Sequence, residues 1–545
     1  MRSFRALVVD NDPAIRRLAE GAADPSRGIE VRTAPDLVQA EDLLASSFFN
    51  VAFVDLQLDD GPRPNVDGKT LLSELCEVRP ACRRLLLTMY PEKYRGEVFA
   101  LIDPERPIID GAVDKEDFEH HFVEYLEREA ISWLRAPVTV EGLDELFARL
   151  SAKDIVGESL LDEKRRAQVT IEEVDYVLSR LFGQDLAREG VDPDDIDHIA
   201  LSPLEGGKSR SVVAVGRPVT VAGGQGIPCV IKVGPRGDTL EEQRRYDRYV
   251  RFRVSLRRRV ELLSAVHGDT LGAVCYSFAG QSPDELTDLQ SLFDSGDPRA
   301  LVCLERLLGG ADDWRPEGER GFDLAGFFSD AYQLDVRKII SEVHRFADKH
   351  DAALSGRKVK DELRFEGGKI SLPSNADVGS GVLRGRFGAS VVHGDLNASN
   401  VIVSSRDDVT LIDFRHTTRG PWCLDFAALQ ASVRLSADAV EQAAERAVQA
   451  EELERRLWAH DWSKPDGWWP KQAKREPPYW ATAAARLMFL ANRNLDGLTV
   501  EEHAGTTLLY ALRVFRAPGL SRDARLRLLI WMSALCRVLA ADHST

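Results

Sequence analysis

Cysteine is sparse and unpaired in this sequence. The seven (Cys76, Cys82, Cys229, Cys275, Cys303, Cys423 and Cys536) are scattered over 545 residues with no CxxC pair. That leaves no disulfide framework to read and points to reduced, mostly buried thiols of a cytoplasmic protein. Long apolar runs are missing too. None approaches the roughly 18–20 residues that a membrane-spanning helix needs, so no membrane partner is expected. The opening MRSFRALVVD turns acidic too soon for a secretory signal. Nor is there an excess of basic charge. Lys and Arg number 71 against 88 Asp and Glu, a net charge of -17, which argues against nucleic acid as a partner. What is left is ordinary for a soluble chain, 44% hydrophobic and 29% charged. Its length allows about three or four folded units.

The N-terminal stretch alternates apolar strands with helical segments. FRALVVD, VRTA, NVAFVDL, RRLLLTM and PIIDGAVD read as strands; AIRRLAEGA, LVQAEDLLASS and KTLLSELCEV read as helices. Such alternation predicts an α/β fold with a doubly wound parallel sheet covered on both faces. Ligands then sit at the carboxyl ends of the strands. Asp10, Asn11, Asp12, Asp55, Thr88 and Lys115 all fall at such ends. Acids of this kind suit Mg²⁺, and a carboxylate beside Mg²⁺ can attack phosphorus. Thr88 is placed to hydrogen-bond the new phosphoryl oxygens and Lys115 to pair with their charge.

VVDND, VAFVDLQL, LLLTMY and AVDKEDF, in that order, closely resemble the receiver domain of response regulators. The resemblance covers residues 1–130. It implies that Asp55 is the phospho-acceptor, that Asp10 and Asn11 hold the acidic-pair positions, and that a cognate histidine kinase or other phosphodonor is the partner. Three departures stand out. The second acid is Asn11, so that either Asp12 compensates or Mg²⁺ binds less tightly. Ala112 stands where the family often has an aromatic switch residue, and Glu116 replaces the usual Pro after Lys115.

A connector, 131–194, reads as helical. FEHHFVEYLEREAISWLRA leads into it with an apolar stripe (Phe118, Phe122, Tyr125, Leu126, Ile131, Leu134). The stripe serves either as a homodimer face or as packing for the next domain. His120 and His121 read as surface residues.

Beyond the turn-rich GVDPDDID, the order changes. IDHIALSPL and VVAVGRPV are strands flanking EGGKSRS; PCVIKVG is a strand ending in Lys232; TLEEQRRYDRYVRF is a helix; LGAVCYSFAG is another strand. A Walker A reading of GGKS fails, because Ser202 stands where its first Gly belongs and the context is strand–loop–strand. Strand, Gly-rich turn, strand, Lys-bearing strand and helix is instead the order of a kinase small lobe. It nominates Gly206, Gly207, Lys208 and Lys232 for nucleotide binding. Further on, HGDLNASN places Asp395 and Asn400 five apart, and LIDF places Asp413 at the next strand end. In kinase chemistry the first Asp takes or orients the proton of the attacking hydroxyl, while an Asn and a second Asp hold Mg²⁺ on ATP. His393 reads as a structural residue of this loop, with Asp425 of CLDFAAL as its anchor.

This half resembles the aminoglycoside and choline phosphotransferases, which have the protein-kinase-like fold. It is similar also to the kinase-like ternary complex associated domains. The resemblance implies an α+β bilobal domain, with a small lobe at 195–280 and a large lobe with an insertion at 281–545. It makes Glu242, or else Glu241, the helix partner of Lys232, Asp395 the catalytic base, and Asn400 and Asp413 the metal ligands. RHTTRG after LIDF departs from the small residues usual there. In the C-terminal helices, Trp462, Trp468, Trp469, Tyr479 and Trp480 either form a pocket or pack their loop onto the helices. The sequence thus predicts a receiver-regulated, ATP- and Mg²⁺-dependent phosphotransferase of a bacterial two-component system, acting on an unknown acceptor or effector protein. The alternative is a catalytically weak or inactive kinase-like scaffold switched by phosphorylation of Asp55.

Overall fold

The computed structural model describes residues 4–58, 67–79, 81–88, 108–134, 139–153, 169–189, 195–204, 210–278, 286–309, 320–350, 356–359, 362–365, 368–374, 387–464, 467–470, 473 and 475–541. The chain forms two compact units. The first is Met1–Arg244 with Glu261–Phe278, and the second is Arg245–Val260 with Ala279–Thr545.

The first unit opens with β1 (Phe4–Val9), α1 (Pro13–Gly21), β2 (Ile29–Ala34), α2 (Leu37–Ser46), β3 (Val51–Asp55), α3 (Asp67–Val78), β4 (Arg83–Thr88), β5 (Gly111–Asp114) and α4 (Lys115–Leu134). The strands form one sheet in the order β2-β1-β3-β4-β5, every pair parallel. This is the expected doubly wound sheet. Every residue of VAFVD in β3 is buried, because a parallel sheet is covered on both faces and its central strands become continuous apolar runs. The stripe on α4 serves packing: Phe118, Phe122 and Leu126 are buried, and both phenylalanines meet Phe53 edge-on. The side chains of Ile131 and Leu134 lie outside the described residues.

Among its described residues the connector is helical apart from one strand. It holds β6 (Thr139–Glu141), α5 (Leu143–Ser151) and α6 (Ile171–Glu189). Three residues are too few to show a period in sequence, but Thr139, Val140 and Glu141 pair in parallel with the next strand. Then follow β7 (Ile196–Pro203), β8 (Val212–Thr220), β9 (Cys229–Pro235), α7 (Arg236–Arg245), β10 (Leu262–His267) and β11 (Leu271–Ser277). Their sheet runs β10-β11-β9-β8-β7-β6. One apolar core extends from Phe4 and Phe53 through Phe118 and Val174 to Ile231 and Cys275. Receiver strands, connector helix and the Lys232 strand therefore pack as one body rather than as beads on a tether.

The second unit is mainly helical. It contains β12 (Thr287–Asp288), α8 (Leu289–Asp294), α9 (Arg299–Leu308), β13 (Arg320–Phe322), α10 (Leu324–Tyr332), α11 (Val336–His350), β14 (Gly356–Val359), β15 (Glu362–Phe365) and β16 (Gly368–Ser371). Next come β17 (Phe387–Val392), β18 (Val401–Val403), β19 (Val409–Leu411), β20 (Thr418–Pro421) and α12 (Leu424–Arg434). The chain closes with α13 (Ala437–Glu445), α14 (Ala447–Ala459), α15 (Tyr479–Asn494), α16 (Val500–Phe515) and α17 (Arg522–Ala541). All residues of α12 are buried, so its polar side chains need internal partners. Arg434 finds Glu454 at 2.8 Å, and Arg527 pairs with the same carboxylate. Part of the Trp-rich loop lies outside the described residues. In the rest, Trp480 is buried and Trp462 donates to the Leu457 carbonyl at 2.9 Å, which is packing onto the helices.

His503 on α16 is buried against Trp458, with ring centroids 5.1 Å apart. Its Nε2 has no hydrogen-bond partner among the described residues. Burial, and then the charge of Arg434, lower its pKa from 6.5 to about 4. The unfolded chain therefore takes up a proton near pH 6.5 that the native chain refuses until about pH 4. Stability is full above pH 6.5 and is lost as the pH falls toward 4. At pH 5 the loss from this residue should be about 2 kcal/mol, at roughly 1.4 kcal/mol per pH unit. Thermal melts between pH 7 and 5 should show a falling Tm, and His503→Leu should flatten the fall.

Candidate active sites

The first site lies at the carboxyl edge of the parallel sheet. Register pairs Asp55 with Leu87 and Thr88 with Asp114, so β3, β4 and β5 deliver Asp55, Thr88 and Lys115 to one edge. The Lys115 ammonium lies 2.8 Å from Asp55 Oδ2 and 2.9 Å from Asp10 Oδ2. All three side chains are buried, as is Thr88. Burial raises the pKa of Asp55, with Lys115 pulling the other way. Burial also works against the Lys115 ammonium, but the hydrogen bond and charge of Asp55 and the charge of Asp10 leave its pKa raised. Asp12 touches this cluster through its backbone N, which donates to Asp10 Oδ1 at 2.8 Å, and not through its carboxylate. Its Oδ1 accepts from Ala14 N at 2.7 Å and caps α1, so the structure gives it a helix-capping task. Asn11 sits between them, half-buried.

The remaining candidate residues fall in separate units and are described unit by unit. In the first unit Lys232, on β9, lies 2.8 Å from Glu242 Oε2, and Tyr276 on β11 donates to Glu242 Oε1 at 2.8 Å. Lys232 and Glu242 are both buried. Gly206, Gly207 and Lys208 fall outside the described residues.

In the second unit β17 leads into His393 and the HGD turn. Gly394 has φ 81°, and a Cβ there would lie 2.2 Å from the His416 carbonyl oxygen; only glycine fits both demands. Asp425 at the start of α12 accepts from His393 N at 2.8 Å and Gly394 N at 3.0 Å. Burial pushes its carboxyl up to about 7 against those two bonds. His393 Nε2 donates to the Ile412 carbonyl at 2.9 Å, tying the turn to the strand that precedes Asp413. The β18–β19 hairpin pairs Val401 with Leu411, and Ile412 N donates to the Asn400 carbonyl at 3.1 Å. Asn400 and Asp413 are thereby adjacent across the hairpin. The Asn400 amide also donates to the Asp395 carbonyl at 2.8 Å. Asp413 adopts the left-handed region, with φ 61°, a conformation that costs energy for a residue with a Cβ and gathers at functional sites.

Two residues that the sequence reading missed stand over Asp395. Tyr510 Oη donates to Asp395 Oδ1 at 3.1 Å, and Arg513 Nη2 lies 3.0 Å from the same oxygen. Burial opposes the charge of Arg513, yet Tyr510, Asp395 and Tyr332 hold its pKa above the ordinary value. Burial lowers the pKa of nearby His416 to about 4. The available signal was YALR in an amphipathic helix, whose Tyr and Arg at i and i+3 share a face.

With this geometry in place, comparison with known proteins adds the following. A family model described as "Response regulator receiver domain" matches residues 6–101. The N-terminal domain is a receiver domain. A second model, "Ternary complex associated domain 9", matches residues 376–490, which include the Asp395 loop. No curated relative matches the chain. Among solved structures, a CheY-like receiver domain protein from Methanospirillum hungatei is 25% identical, covers 24% of this chain and 97% of that one, and has a TM-score of 0.19. Aminoglycoside phosphotransferase APH(3'')-Id from Streptomyces rimosus is 15% identical over 62% of this chain and 98% of that one, with a TM-score of 0.31. Aminoglycoside-3'-phosphotransferase of type VIII is 15% identical over 57% and 93%, with a TM-score of 0.29. These scores add no weight beyond the element order and the site geometry. A receiver domain comes first, and the ternary complex associated domain match lies in the C-terminal half.

Proposed function

We propose that the protein is a signalling phosphotransferase whose ATP- and Mg²⁺-dependent output domain is governed by phosphorylation of Asp55. The observation that carries this reading is the buried Lys232–Glu242 pair at 2.8 Å. Lys232 then binds the α/β-phosphates of ATP, oriented by Glu242. The side-chain oxygens of Asn400 and Asp413 suit Mg²⁺, and the amide of Asn400 already spends its donor on the Asp395 carbonyl. When bound, the metal neutralises phosphate charge. Asp395 receives the proton of the acceptor hydroxyl as that oxygen bonds to the γ-phosphorus. The bond from phosphorus to the β–γ bridging oxygen breaks, and ADP leaves. Mg²⁺-dependent protection of the native fold by ATP, and its loss in Lys232→Met, would test the nucleotide site, because a ligand of the native state raises Tm by mass action.

The receiver half takes its phosphoryl group on Asp55. Asp10 and Asp55 give two carboxylates for Mg²⁺, fewer than the three acids of a complete set, because Asn11 replaces one. A small phosphodonor with Mg²⁺ should add one phosphoryl mass to the native protein and none to Asp55→Asn. Asn11→Asp should lower the Mg²⁺ concentration required. Equal labelling of native and Asp55→Asn protein would remove the assignment.

A second reading, a nucleotide-binding scaffold without turnover, draws on the Arg513 and Tyr510 contacts that occupy one oxygen of Asp395. In it, phosphorylation of Asp55 would switch partner binding alone. A bacterial cytoplasmic setting suits both readings. Among the described residues no helix is long and apolar enough to cross a membrane.

A further inference from the structure

The acceptor side of the second unit holds a cation that proton transfer by Asp395 does not by itself require. Oδ1 of Asp395 accepts from Tyr510 at 3.1 Å and faces Arg513 Nη2 at 3.0 Å. Oδ2 has only a long contact among the described residues, from Asn397 Nδ2 at 3.4 Å. The carboxylate therefore has one committed oxygen and one that remains for an acceptor hydroxyl. Arg513 is held in place from two sides. Its guanidinium lies 4.2 Å from the Tyr332 ring centroid and 5.1 Å from that of Tyr510, and Tyr332 is itself pinned by its bond to the Gly394 carbonyl at 2.6 Å. Nη1 is buried and finds no acceptor among the described residues, so one guanidinium donor is left unspent inside the fold. Neither end of the ion pair is sealed: the Arg513 and Asp395 side chains stay 22% and 23% exposed.

A bare carboxylate base draws cations and repels anions. A fixed guanidinium on the same carboxylate cancels that bias, and on its own side of the pair its positive field favours an anionic group beside the reacting hydroxyl. A charge placed against the wrong partner is also a means of specificity. We propose that Arg513 is a specificity-determining residue of the acceptor site and selects a hydroxyl flanked by an anionic group, carboxylate or phosphate, over one flanked by an amine. This rests on the phosphotransferase reading above and narrows its acceptor class.

The test uses one scaffold in three charge states: glycerol 3-phosphate, glycerol and 3-aminopropane-1,2-diol. Binding to the full-length protein with Mg²⁺ and a non-hydrolysable ATP analogue is read by ligand-observed NMR, and phosphoryl transfer is read separately with ATP. The native protein should favour the phosphate over the amine by at least about tenfold, as expected for opposed against like charges at a contact. Arg513→Lys should keep that order, whereas Arg513→Gln should erase or invert it. Glycerate in place of glycerol 3-phosphate separates carboxylate from phosphate as the flanking group. Preference of the native protein for the amine, equal response to all three, or binding of none would overturn the proposal. So would an unchanged order in folded Arg513→Gln. If Arg513→Gln does not fold, the charge order of the native protein decides alone. Transfer with the wrong charge order would remove this inference and keep the kinase reading; the right order in binding without any transfer would do the reverse.

Discussion

Asp395→Asn should lower ATP-dependent phosphoryl transfer by roughly 10²–10⁴-fold, the usual contribution of a positioned general base, while leaving Mg²⁺-ATP binding in place. The two effects separate because the residues separate. In the proposed reading the nucleotide is served by Lys232, Glu242, Asn400 and Asp413 and the acceptor by Asp395, whose Oδ1 is held by Tyr510 and Arg513. Asn keeps the shape, and its Oδ1 can still accept from Tyr510, so the loop should stay folded. What it loses is a second oxygen able to take a proton. Single-turnover transfer and calorimetric ATP binding, measured on the same preparation, check both halves. Full transfer by Asp395→Asn would place the chemistry elsewhere.

Phosphorylating Asp55 should change transfer, or ATP affinity, by at least about fivefold, the lower end of a typical coupling between sites. The structural ground is the continuity of the first unit. A phosphoryl group on Asp55 changes the charge that Lys115 faces, now at Asp55 Oδ2, and Thr88 stands at the carboxyl end of β4. At the other end of β4, Ala81 N donates to Asp269 Oδ1 at 3.2 Å, and Arg79 Nε is 4.0 Å from Asp269 Oδ2. Asp269 belongs to the β10–β11 turn. Glu173 of α6 grips the same turn, accepting from Thr270 N at 2.6 Å and Leu271 N at 3.0 Å. Burial, followed by the Glu173 charge, holds the Asp269 carboxyl well above the usual range. From that turn β11 runs alongside Lys232, with Val274 as its register partner, and carries Tyr276 to Glu242. A packed route thus joins the receiver to Lys232. A differential contact of this kind is what a ligand-induced shift needs. Glu173→Gln should weaken the response to phosphorylation while leaving the labelling of Asp55 intact. The comparison is of ATP affinity and transfer with and without phosphodonor in native and Glu173→Gln protein.

Much of this was legible in the sequence, for local reasons. VAFVD reads as a covered parallel strand because nearly every residue is apolar, and the acid at its end is conspicuous. HGDLNASN and LIDF carry their chemistry at short spacing, and β17, β18 and β19 form around them as the pattern predicts. The rest depended on contacts distant in the chain. Tyr510 and Arg513 reach Asp395 from more than a hundred residues away, and nothing in an amphipathic helix says which loop its polar face will meet. Asp12 stands by position next to the acid pair; that its carboxylate caps α1 is visible only in the fold. Strand β6 is too short for a period. The Asp269 joint unites an α3–β4 loop, a connector helix and a hairpin turn, three elements that no local pattern links.

The measurement that tests the account most directly is transfer of the γ-phosphoryl group from ATP by the full-length protein, with Asp55 phosphorylated and unphosphorylated, beside Asp55→Asn and Asp395→Asn. Transfer in the native protein that shifts at least about fivefold on phosphorylation, fails to shift in Asp55→Asn and falls by at least about 10²-fold in Asp395→Asn is the predicted result. Transfer that is the same in all four samples, or Mg²⁺-ATP that binds none of them, would contradict it.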